Sequence, residues 1–116
     1  MLVIRKEQMA VMSEYMFDNF ISDMVVHLRN DYPREIESMD DDSLRVFIRE
    51  SIERANSFNI RASENLEFFL DCEVVYGPAF YTHQDYVWAK VILLDEKNDE
   101  TEKMSQINEY QIFAED

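Results

Sequence analysis

The sequence predicts an all-α domain, a compact bundle of about five helices. Three observations carry this. Apolar residues recur every three or four positions in successive segments, the period of an amphipathic helix. Helix-starting and helix-stopping residues stand at the segment boundaries. With 1 Gly and 2 Pro in 116 residues, little interrupts the segments between those boundaries.

The first segment carries Met9, Met12, Met16, Phe20, Met24, His27 and Leu28 at helical steps, with Phe17, Ile21 and Val25 widening the stripe. It predicts one long N-terminal helix from about Arg5 to Asn30. Asp31-Tyr32-Pro33 ends it, because the residue before a proline disfavours helix. A short helical turn is expected at Arg34 to Ser38.

Asp40-Asp41-Asp42-Ser43 supplies preferred N-caps and first-turn acids for a second helix. Leu44, Phe47, Ile48, Ile52 and Ala55 give its buried face. Asn59 is placed to end it in the left-handed conformation. Ser63 is expected to cap a third helix bearing Leu66, Phe69, Leu70 and Val74, with Phe68, Cys72 and Val75 beside them; Gly77-Pro78 stops it. Phe80 to Gln84 reads as loop. Asp85 to Leu94 predicts a fourth helix, with a strand as the competitor because the apolar run is short. Asp99-Glu100-Thr101-Glu102 has the spacing of a capping box opening a last helix, lined by Met104, Ile107, Tyr110 and Phe113. No repeat or low-complexity tract divides the chain, so residues 1–116 read as one domain.

Composition excludes several functions. A single Gly leaves no phosphate loop or dinucleotide fingerprint. A single Cys leaves no internal disulfide and no multi-cysteine zinc site, and it suits a reducing cytoplasm. No segment reads as a secretory signal or a membrane span. The formal charge is −14, and residues 63–116 hold 3 basic and 13 acidic side chains, a net of −10. Such a field repels nucleic acid and anionic lipid and steers basic proteins inward; it also serves plain solubility.

No catalytic constellation, metal set or cofactor motif stands out. Asp23, His27 and Asp31 fall near one helix face, where a carboxylate–imidazole row either orients a base or simply favours the helix end. His83 beside Asp85 is an acid–base pair or a loop hydrogen-bonding residue. Cys72 lies between Asp71 and Glu73, which disfavour a thiolate, so it reads as a small core residue. Asp40 to Asp42 lack the alternation and glycine of a calcium loop. The methionines read as core or as an adaptable groove. Tyr76 to Trp88 concentrates aromatics around a proline turn; Phe80 and Trp88 are expected inside, with Tyr81 and Tyr86 more exposed.

Several short pieces occur in a recognisable order. They are Ile4-Arg5-Lys6-Glu7-Gln8-Met9, His27-Leu28-Arg29 before Tyr32-Pro33, Leu44-Arg45-Val46-Phe47-Ile48-Arg49 continuing to Ala55, Phe58-Asn59-Ile60, and Gly77-Pro78-Ala79-Phe80 followed by Trp88. In this the chain resembles a family of small, uncharacterised bacterial helical proteins encoded beside type VI secretion or related contractile-injection components. It differs in having Asn59 where the family has Gly, and Ala79 and Tyr81 where the family flanks the Phe with Asp. The resemblance brings no catalytic residues. It implies a cytoplasmic, non-enzymatic accessory role: an immunity protein for a secreted effector, or the effector's chaperone or adaptor. On that reading the partner is a basic effector or toxin. Tyr81, Tyr86 and Trp88 are the expected anchors, and Glu96, Asp99, Glu100 and Glu102 supply the steering charge. The competing reading is an acidic nucleic-acid mimic that inhibits a nuclease or DNA-binding protein.

Overall fold

The computed structural model describes residues 14–115, with side chains described over 15–110. Five α-helices account for most of this span: α1 (Glu14–Asp31), α2 (Asp41–Ser57), α3 (Ser63–Tyr76), α4 (Val87–Leu94) and α5 (Glu100–Glu115). Two single 3₁₀ turns, Phe80–Thr82 and Gln84–Tyr86, lead into α4. The described residues contain no strand, so the helical reading of 85–94 holds over the strand. The described part of the first helix is 18 residues long. The expected stretch from Arg5 to Ser13, with Met9 and Met12, lies outside the described residues, as does the side chain of Phe113.

Each helix buries the stripe its spacing dictates. α1 contributes Ile21, Met24 and Leu28, while Met16, expected on the same stripe, is exposed. α2 contributes Leu44, Phe47, Ile48, Ile52 and Ala55, as its pattern predicts. α3 sits at the centre, packing against α1, α2, α5 and the first 3₁₀ turn. Its buried positions are accordingly spread around the helix and include Leu66, Phe69, Leu70 and Cys72, along with Asn65 and Glu73. Leu93 and Ala89 of α4, with Met104 and Ile107 of α5, close the other end of the core. Burying one such Leu, Ile or Phe contributes about 1.5–3 kcal/mol.

Helix ends are built by both local and distant groups. Asp40 accepts the Ser43 N–H at 2.8 Å, and that bond holds its carboxyl below the usual range. Past α2, Asn59 adopts φ 65°. The Ile60 N–H then reaches the Ala55 carbonyl (3.1 Å) and the Asn59 N–H the Asn56 carbonyl (2.9 Å), the paired bonds of a Schellman stop. Asp99 and Glu102 form the expected capping box: the Glu102 N–H donates to Asp99 (2.8 Å) and the Asp99 N–H to Glu102 (3.1 Å).

Two local expectations are corrected. Residues 33–38 form turns and no helix. Arg29 reaches across them, donating to the carbonyls of Ile36 (3.5 Å) and Met39 (3.0 Å) and to Asp41 (2.9 Å), and so ties the end of α1 to the start of α2. Ser63 does not cap α3, since the cap residue is Ala62, which has no side-chain oxygen. The carboxylate of Glu100 serves there instead, accepting the N–H groups of Arg61 (3.1 Å) and Ala62 (2.8 Å) and the Asn65 side-chain amide (2.8 Å). One turn on, buried Lys103 donates to the Phe58 carbonyl at the end of α2 (2.9 Å). The first turn of α5 thus places an anion at one helix N-terminus and a cation at a neighbouring C-terminus, each matched to the local dipole.

Candidate functional site

The aromatic segment folds into a ladder that ends at the surface. Phe58 meets Tyr81 edge-on (5.0 Å), Tyr81 meets Phe80 (5.5 Å), and Phe80 lies 5.9 Å from Tyr86. Tyr86 approaches Trp88 at 6.4 Å, and Trp88 stacks on Tyr110 of α5 at 4.2 Å with planes 9° apart. Tyr81 was expected to be more exposed; it is buried against Phe58 and Phe69, so its ring serves the core. Burial pushes its hydroxyl pKa up. Phe80 is buried as expected; Trp88, also expected inside, is only half-buried, as is Tyr86. Tyr110, at the outer end of the ladder, is exposed.

A buried carboxylate fixes the turn that starts this ladder. The Glu73 side chain, wholly removed from solvent, forms a two-pronged pair with Arg54 of α2 at 2.6 and 2.8 Å. It also accepts the Ala79 N–H at 3.1 Å. Ala79 stands in the left-handed region at φ 52°, a conformation that costs a non-glycine residue roughly 1–2 kcal/mol. Its bond to Glu73 offsets part of that strain. Gly77, at φ 108°, supplies the other unusual backbone of the turn, and only glycine adopts such a conformation without strain. The Glu73 bond raises the Arg54 pKa.

The four acidic residues expected to steer a partner have different roles. Glu100 is engaged at the α3 N-terminus, and Asp99 and Glu102 cap α5. Glu96 is exposed. Together Glu96, Asp99 and Glu100 line a cleft of about 540 Å³ with Asn59, Arg61, Asn98 and Lys103.

The outer side of α4 is apolar and open. Val87, Val91 and Leu94 are 51%, 65% and 56% exposed, on the side opposite buried Ala89 and Leu93. Composition did not reveal this face, because seven of the eight α4 residues are apolar and no polar stripe marks the outside.

The histidines take structural positions. His27 Nε2 lies 2.8 Å from Asp71 of α3 and Nδ1 lies 3.3 Å from Asp31. The expected row thus recruits Asp71 from another helix, and Asp23 instead lines an adjoining shallow cleft. Burial works to lower the His27 pKa, but the hydrogen bond and charge of Asp71 outweigh it and raise the value. Burial also raises Asp71, against the pull of His27. Tyr32 shares Asp71 and is pushed up to about 12, first by burial. His83 accepts the Asp85 N–H at 3.3 Å and caps a 3₁₀ turn. Cys72 is buried. Among the described residues no group of three or more His, Cys, Asp or Glu is arranged to hold a metal ion, and no helix is long and apolar enough to cross a membrane.

In comparison with known proteins, no family model, curated protein or solved structure matches the chain.

Proposed function

We propose that this chain is a non-enzymatic cytoplasmic binding protein. It captures a basic secreted effector, either to neutralise it as an immunity protein or to escort it as a chaperone or adaptor. The observation that carries the reading is the coincidence, in residues 63–116, of a net −10 charge with an exposed apolar helix face. A field of one sign raises the rate of encounter with an oppositely charged protein, and apolar side chains hold what has arrived. The type VI setting rests on the family resemblance of the sequence.

The site chemistry supports binding over catalysis. A general base needs a free lone pair within reach of substrate. Both ring nitrogens of His27 face carboxylates, and His83 spends Nδ1 on a backbone amide. The nucleic-acid mimic ranks second, because several carboxylates that would imitate phosphates are spent internally: Asp71, Glu73, Asp99, Glu100 and Glu102.

The test is affinity capture of the full chain's partner from native lysate, washed at low and high salt and identified by mass spectrometry. One stoichiometric, basic, toxin-like partner supports the proposal. Co-expression then separates its branches: rescue of growth marks immunity, and raised effector yield without rescue marks a chaperone. A complex displaced competitively by DNA favours the mimic. Capture of no partner contradicts all three.

A further inference from the structure

We infer that the outer face of α4 is the docking surface and that its occupant is a basic amphipathic helix of the partner; this rests on the binding role proposed above. Val87, Lys90, Val91 and Leu94 fall at i, i+3, i+4 and i+7, and all four are exposed. This is the spacing by which one helix presents a ridge to another. The eight residues of α4 span about 12 Å, two turns of a facing helix. Ala89 and Leu93, buried on the opposite side, fix the rotation of α4, so the outer row is rigidly presented. The Trp88–Tyr110 stack holds α4 against α5 beside that row.

Charge decides the occupant. Exposed Asp85 precedes the row, and Asp95 and exposed Glu96 follow it, three acids against the two lysines Lys90 and Lys97. An apolar strip with acids at both ends matches a helix whose apolar row is flanked by Lys or Arg. Lys90, within the strip, selects one acid on the partner's apolar side, which gives register as well as affinity. A second copy of this chain is a poor occupant, since each copy carries −14.

The test uses the full chain, the single tryptophan Trp88 as fluorophore, and a synthetic helix of roughly 18 residues, or five turns, with Leu at i, i+3, i+4 and i+7, one Glu beside that row to meet Lys90, and Lys elsewhere. Val91→Glu is compared with Val46→Glu, the same charge change at an exposed valine on α2. Both sites are more than half exposed, so both variants fold. Attraction by charge alone leaves the two variants equal. Docking on α4 makes Val91→Glu bind about tenfold more weakly while Val46→Glu stays within about twofold of the parent chain, because only the former buries a charge against leucines. Replacing the peptide's Leu by Ser, at unchanged charge, gives the same loss. Equal binding by both variants overturns the inference and leaves the acidic binding role standing. Failure of the parent chain to bind the Leu/Lys helix at low salt overturns that role as well. A parent chain that sediments as a dimer, with Val91→Glu monomeric, overturns the inference by assigning the face to a second copy.

Discussion

Replacing Glu100 with Ala removes one acceptor that three donors share. The N–H groups of Arg61 and Ala62 and the Asn65 amide all converge on Glu100 Oε1 within 2.8–3.1 Å. A hydrogen bond to a charged group contributes about 1.5–3 kcal/mol net, and a lost N-cap costs about 0.5–2 kcal/mol. The three bonds meet on a single oxygen of a partly exposed residue that lines an open cleft, so their contributions overlap and water replaces part of what is lost. The expected cost of Glu100→Ala is about 2 kcal/mol. Glu100→Gln keeps a carbonyl oxygen and loses only the charge facing the start of α3, an effect of about 0.3–1 kcal/mol. At roughly 4 °C per kcal/mol for a domain of this size, the Ala variant melts about 8 °C below wild type. Urea unfolding, followed by circular dichroism and by Trp88 fluorescence, measures both variants. Glu96→Ala, at an exposed carboxylate nearby, is the control and unfolds with the wild type. A Glu100→Ala chain as stable as Glu96→Ala refutes the reasoning and returns Glu100 to the set of free steering charges.

Other predictions follow from the same physical terms. Glu73→Ala strands the Arg54 guanidinium and is expected to cost about 3–5 kcal/mol, most of it recovered when Arg54→Met is added to Glu73→Leu; equal losses in the single and double variants in denaturant would falsify the pairing. His27 has a raised pKa in the fold, so its stabilising contribution is complete below the unfolded value of 6.5 and is lost as pH rises through the higher folded value. Asp71, also raised, acts in the same sense at lower pH, from its ordinary 3.8 upward. Stability against urea should therefore fall as pH rises above 6.5 in the wild type, and His27→Gln should flatten that slope; an unchanged slope contradicts the assignment. Ser51 buries a hydroxyl with no hydrogen-bond partner, so Ser51→Ala is expected to be neutral or to stabilise by up to about 1 kcal/mol in the same assay. A clear loss there shows that the hydroxyl has a role.

What could be read from the sequence divides by distance along the chain. The α2 stripe, the Asp40 cap, the Asn59 stop and the Asp99–Glu102 box depend on residues a turn or less apart, and each stands where the pattern put it. The cap of α3 was misplaced because its oxygen comes from Glu100, 38 positions from Ala62. Glu73 entered the sequence reading only as a neighbour that disfavours a Cys72 thiolate, and nothing local marks its pairing with Arg54 across 19 positions. Tyr81 was misjudged because a 3₁₀ turn has no long apolar period to show which ring points inward. The acidic half was legible in the charge count. Which of its acids remain free, and which side of α4 faces outward, depend on how α5 packs against α3 and α4.

The most direct test of the central claim is the ionic-strength dependence of association with the captured partner, by stopped-flow fluorescence of Trp88. Capture steered by the acidic half predicts an association rate that falls steeply from low to high salt while dissociation changes little, with Glu96→Lys slowing association further. An association rate indifferent to salt, or one that Glu96→Lys leaves unchanged at low salt, contradicts it.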